Sequence, residues 1–173
     1  ICKTLDCNRC EIDGIEPIKA GITNLSVLFT VKGESFIYRH PGAGTSEIIN
    51  RQAELYALSI AKELGLDDTL VYQDPKEGWK ISKFIEGCQE LDYENEGQVK
   101  QALGMIRTLH ASGKTSPWSF DFWEEGVKIT KLLKDMKYPL PKDFESLREK
   151  AERVTLVLKS TKREHALCHN DFY

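Results

Sequence analysis

Residues 169–171 read His169-Asn170-Asp171, on what is expected to be a loop after Ala166-Leu167-Cys168. A carboxylate held there beside an imidazole and an amide can orient an acceptor hydroxyl and take its proton. Transfer of a phosphoryl group to an alcohol needs such a carboxylate, while metal ions and cationic side chains neutralise the phosphate oxygens. Arg39 is the candidate cation: it ends the alternating run Phe36-Ile37-Tyr38, and its planar fork could clamp two phosphates. Glu54 lies three and seven residues before Ala57 and Ala61, at the border of a helix's buried stripe, where it could pair with Arg39 and hold that guanidinium. In the segment Gly21-Ile22-Thr23-Asn24, backbone N–H groups could approach phosphates with no Cβ in the way at Gly21. Each piece has a plain alternative: a surface turn at 169–171, an exposed strand-end arginine, a solvated helix glutamate and an ordinary hairpin turn.

The common phosphate signatures are missing. Gly113-Lys114-Thr115 resembles the end of a Walker A loop, but the first glycine of that motif would fall at Thr108, so the segment reads as a helix C-cap. No complete G-x-G-x-x-G is present, which removes both the dinucleotide fingerprint and the protein-kinase glycine loop.

The elements that must position these residues follow from periodicity and turn chemistry. Strands are expected at 15–20, 25–31 and 35–40, broken at 21–24 and at Lys32-Gly33-Glu34. Pro41-Gly42-Ala43-Gly44 ends the sheet, and Thr45 or Ser46 is expected to cap a helix. Its apolar positions are Ile49, Ala53, Tyr56, Ala57, Ile60 and Leu64, and Gly65 stops it. A second hairpin, 69–73 and 79–85, turns at 74–78. Three helices follow: one from Asn95 to Gly113 with Val99, Ala102, Leu103, Ile106 and Leu109 inward, one at 121–137 with Val127, Leu132 and Leu133 inward, and one at 144–160. Pro139 and Pro141 separate the last two. This is α+β organisation in two lobes, 1–87 and 88–173.

The chain has 173 residues, 40% of them hydrophobic and 29% charged, which suits a folded globular chain but is short for a two-lobed enzyme. A net charge of −3 gives no electrostatic footprint for nucleic acid or an anionic membrane. Apolar runs fall far short of the roughly 20 residues a membrane crossing needs, and no signal-peptide core opens the chain, so a cytoplasmic location is expected. Five cysteines without framework spacing fit reduced thiols. Cys7-Asn8-Arg9-Cys10 has half-site spacing but no second pair to complete a zinc tetrahedron. Trp118, Phe120, Phe122 and Trp123, mixed with Asp121, Glu124 and Glu125, are expected to serve helix packing.

Taken in order, Glu16-Pro17-Ile18 before Gly21-Ile22-Thr23-Asn24, Tyr38-Arg39-His40 before Pro41-Gly42-Ala43-Gly44-Thr45, Ile49-Asn50-Arg51 with Glu54, Phe84-Ile85-Glu86-Gly87, and His169-Asn170-Asp171 make the chain similar to a known family. It resembles the bacterial-type choline kinases that supply phosphocholine to surface polysaccharides, within the aminoglycoside phosphotransferase and choline kinase superfamily. The resemblance implies a protein-kinase-like two-lobed fold, with a five-stranded antiparallel N-lobe sheet, one long helix and an incomplete helical C-lobe. It further implies ATP and Mg²⁺ as cofactors and choline as the small-molecule substrate. Gly21, Thr23 and Asn24 would lie at the phosphates, with Arg39 in place of the kinase strand lysine and Glu54 as its helix partner. Ile85 or Glu86 would meet the adenine, and Asp171, with His169, would form the catalytic loop. The family's metal-binding Asn and second Asp would fall past Tyr173, as would much of its choline pocket, so this chain would hold no metal ligand set and be inactive alone. Apolar surface left uncovered would favour homodimers or aggregation. Two other readings stay open: a kinase for ethanolamine, thiamine, homoserine or an aminoglycoside, and a nucleotide-binding module without turnover. The loop 41–45 favours the choline type.

Overall fold

The computed structural model describes residues 1–19, 24–45, 48–162 and 165–169. By its contacts the chain divides into two compact units, one formed by Ile1–Ser116 with the described residues from Ala166 on, the other by Pro117–His165.

The first unit holds a five-stranded antiparallel sheet of β1 (Ile12–Ile18), β2 (Leu25–Val31), β3 (Glu34–His40), β4 (Leu70–Gln73) and β5 (Lys80–Lys83), in the order β1-β2-β3-β5-β4. One face is apolar because alternate residues of β2, β3 and β5 are: Phe29, Val31, Phe36 and Ile81 are buried together. The short helix α1 (Cys2–Leu5) and the turn after it supply Leu5 and Cys7 to this core, β1 adds Ile12, and Tyr38 and Trp79 pack at its margin. Cys7 is thus a packing residue, and burial pushes its thiol above the ordinary value, with Cys2 adding to the shift. Cys10 is exposed and takes no part in this core.

The other face carries α2 (Arg51–Glu63), which packs against β4 and buries Ile60. Its cap is Asn50, whose side chain accepts from the backbone N–H of Gln52 and Ala53 at 3.1 and 3.0 Å. The expected cap at Thr45 is therefore corrected, while Ser46 lies outside the described residues. The Thr45 hydroxyl donates instead to the Gly42 carbonyl at 2.8 Å. The helix stops at Leu64, with Gly65 in the left-handed conformation that the sequence predicts there.

α3 (Glu96–Ala111), capped by Asn95, buries the strict stripe of Val99, Ala102, Ile106 and Leu109 in part, while Leu103 flanks the stripe and is exposed. Its exit is tied to α2: the Tyr56 hydroxyl donates to the Thr115 carbonyl at 2.8 Å, and Lys114 pairs with Glu63. The Gly113-Lys114-Thr115 segment is a helix exit, as its sequence context implies. The second unit consists of α4 (Phe122–Asp135), capped by Asp121, and α5 (Phe144–Lys159), joined by the ion pair Lys134–Glu145 and by Lys159 reaching Asp121 and Glu124. Trp118 and Trp123 are half-buried, but Phe120 and Phe122 stack edge to face on the surface, so the expectation that the whole aromatic group packs inward holds only for the tryptophans.

Three carboxylates are held below their ordinary range: Glu11 by the Asn8 N–H, Asp74 by the N–H groups of Glu77 and Lys76, and Glu145 by Arg148 and Lys134. A carboxylate depressed in the folded state stabilises the fold above its unfolded value of about 4, and that contribution is lost as pH falls through the folded value. The melting temperature is therefore expected to fall between about pH 5 and pH 2, and Asp74→Asn to make that slope shallower. A thermal-melt series across this window checks it; an unchanged slope in the variant contradicts the role of Asp74.

Candidate functional site

At one end of the sheet the register places four polar residues in a single row. Ser26 of β2 faces Arg39 of β3, Arg39 faces Lys80 of β5, and Lys80 faces Gln73 of β4. Directly opposed residues project to the same face. That face is the one α2 covers, because Glu54 in its first turn receives the Gln73 amide at 3.0 Å and the Lys80 ammonium at 3.4 Å. Gln73 and Ser26 are buried, each 4% exposed. The carboxylate fixes the Gln73 amide with its N–H groups toward Glu54, leaving a buried Oε1 with no hydrogen-bond partner among the described residues.

The expected Arg39–Glu54 pair is not formed. Glu54 pairs with Arg51 at 3.2 Å and with Lys80 at 3.4 Å, and Arg39 is exposed with no ion-pair partner among the described residues. Strand order is the cause. β5 runs between β3 and β4, and α2 packs on β4, so Lys80 and Gln73 come under Glu54 while Arg39 stands one strand, about 4.8 Å, further out. Arg51, one helical turn before Glu54, completes the carboxylate's shell.

Arg51 does more than pair with Glu54. Its second guanidinium nitrogen donates to the Thr45 hydroxyl at 2.7 Å, which itself donates to Gly42, so one side chain ties the 41–45 loop to the start of α2. The Arg51 stem lies against Gly78 in the turn between β4 and β5. A Cβ at Gly78 would sit 2.6 Å from Arg51 Cδ, and the backbone there has φ +75°. Gly78→Ala is expected to destabilise the fold by about 1–3 kcal/mol through strain and displacement of Arg51. Urea unfolding measures it, and a loss under about 0.5 kcal/mol contradicts the close packing.

Of the other sequence-predicted site residues, Asn24 is half-buried directly before β2, and Ile85 and Glu86 are exposed on the segment leaving β5. That segment is pinned by the Phe84 N–H donating to the Ser35 carbonyl at 2.9 Å. His169 is exposed. Gly21, Thr23 and Asp171 lie outside the described residues. Arg51, Lys80, Gln73 and Gly78 were given no role by sequence reasoning. Arg51's spacing of three from Glu54 was a usable signal, whereas Lys80 and Gln73 depend on strand order, which no local pattern reports.

A five-stranded antiparallel sheet with a helix on one face, followed by a run of helices, is the fold of the protein-kinase-like small-molecule kinases. The ternary complex of streptomycin, ATP and APH(2")-IIa, 17% identical, shares it with a TM-score of 0.59 over 94% of this chain. Among such kinases the chain is similar to choline kinase LicA. The crystal structure of LicA from Streptococcus pneumoniae is 28% identical with a TM-score of 0.81, over 93% of this chain and 57% of that one. LicA in complex with AMP is 27% identical with a TM-score of 0.82, over 98% of this chain and 58% of that one. Protein LicA of Haemophilus influenzae is 25% identical over 156 residues, which is 87% of this chain and 45% of that protein. The chain thus spans about half the length of the curated relatives it matches. No family model matches it.

Proposed function

We propose that the protein transfers the γ-phosphoryl group of ATP in line to the hydroxyl of choline, giving phosphocholine. The similarity of nearly the whole chain to choline kinase LicA, one structure of which holds AMP, carries this reading. Residues 1–87 form the nucleotide-binding lobe and 88–173 part of the substrate and catalytic lobe. Arg39 suits a polyphosphate, with Gly21, Thr23 and Asn24 as the other phosphate contacts of this reading, while Glu54 orders the neighbouring Lys80. Ile85 and Glu86 offer backbone groups to the adenine edge. Asp171, beside His169, takes the hydroxyl proton. Among the described residues no three His, Cys, Asp or Glu side chains are grouped to hold a metal ion such as Mg²⁺. No helix among them is long and apolar enough to cross a membrane, and the proposed location is the cytoplasm, where ATP is plentiful.

The test is ADP release by the full-length protein with ATP and choline, with ethanolamine as competitor. Choline is expected to be turned over and ethanolamine to compete weakly. Turnover of ethanolamine, thiamine, homoserine or an aminoglycoside in place of choline reassigns the substrate, and ATP binding without turnover of any acceptor leaves a nucleotide-binding module. Arg39→Ala is expected to raise KM for ATP roughly 10-fold or more with a smaller change in KM for choline, by loss of a charge-assisted contact.

A further inference from the structure

Arg39 and Lys80 are directly opposed on neighbouring antiparallel strands, a position where two like charges repel. Arg51 brings a third cation to the same cluster. Against the three, the described residues set one carboxylate, Glu54, whose partners are Arg51 and Lys80. None of this charge is freely hydrated where it is paired: the side chains of Arg51, Lys80 and Glu54 are 12%, 17% and 28% exposed. A sheet end that keeps positive charge in excess, partly withdrawn from water, is electrostatically complementary to a multiply charged anion. The two cations paired with Glu54 differ in their attachments. Arg51 spends its guanidinium on Glu54 and Thr45, which makes it a tether of the 41–45 loop. Among the described residues Lys80 has one long contact, at 3.4 Å, and two donors left on its ammonium.

We propose that Lys80 is a second phosphate-binding cation of the nucleotide site, standing beside Arg39 and held in place by Glu54, whose carboxylate also takes the Gln73 amide. Glu54 then acts as a positioning residue for Lys80 and not for Arg39. The inference rests on the ATP-dependent reading above and adds to it a residue that sequence patterns did not assign.

The experiment compares dissociation constants of adenosine, AMP and ADP, by titration calorimetry, for the full-length protein and its Lys80→Met and Lys80→Arg variants. Methionine keeps the apolar stem and removes the charge; arginine keeps the charge. Lys80→Met is expected to weaken ADP by roughly 10-fold to 100-fold and leave adenosine within about 2-fold. Lys80→Arg is expected to restore most of the ADP affinity, which a purely structural lysine would not require. Equal ADP affinity in Lys80→Met and the parent overturns the assignment while leaving the nucleotide reading intact. Equal losses for adenosine and ADP overturn it as well, because they report a disturbed fold. A parent protein that binds neither nucleotide overturns the ATP-dependent reading, and the role of Lys80 with it.

Discussion

Phe29→Ala is expected to cost about 3–5 kcal/mol of folding free energy, the range for emptying a packed aromatic site in a core. Phe29 is 1% exposed, pairs directly with Phe36 across β2 and β3 with ring centroids 5.8 Å apart, and shares its cluster with Val31 and Ile81. The cluster is small, so few neighbours can collapse into the void, and the loss is a large fraction of the roughly 5–15 kcal/mol by which domains are stable. The consequence reaches the charged face of the sheet. Ser26, in β2 with Phe29, and Arg39, in β3 with Phe36, hold their places only through the β2–β3 register, so a loosened sheet loses the cationic row as well. Urea denaturation of Phe29→Ala beside Phe29→Leu separates cavity from side-chain loss; a cost under about 1 kcal/mol for alanine would show that the sheet is held by other contacts.

That register marks the division between what sequence patterns reveal here and what they conceal. β2 is found at 25–31 as predicted because its alternation and its flanking turns are local. The starts of α3 and α4, expected at Asn95 and 121, are legible for the same reason: each falls at a capping residue whose side-chain oxygen serves an N–H two or three residues on. The cap of α2 was misplaced because Thr45, a good capping residue, stands just after the glycine-rich break, while its hydroxyl is in fact engaged by Arg51 and Gly42. The partner of Glu54 was misjudged for a different reason. Arg39 precedes it and is the counter-charge that chain order suggests, but the return of β5 beside β3 inserts Lys80 between them, and only three-dimensional strand order contains that fact. Helix burial was overestimated at Leu103 and Val127, which lie at the edges of stripes whose central positions are half-buried.

Asp171→Ala in the full-length protein is expected to lower kcat for choline phosphorylation by roughly 10³-fold or more while KM for ATP changes less than about 3-fold. A positioned general base contributes about 10²–10⁴-fold, and loss of hydroxyl orientation adds to it, while in the proposed reading the phosphates are met by cations on the sheet. The contrast with Arg39→Ala is the informative part: removing the base acts on kcat, removing a phosphate cation acts on KM for ATP. Asp171→Asn divides the two duties of the carboxylate. Asparagine can still accept a hydrogen bond from the hydroxyl but cannot take its proton, so activity as low as in the alanine variant assigns the proton transfer to Asp171, and activity near the parent's assigns only orientation. Rates for Asp171→Ala close to the parent's would remove the 169–171 loop from the chemistry and require another base.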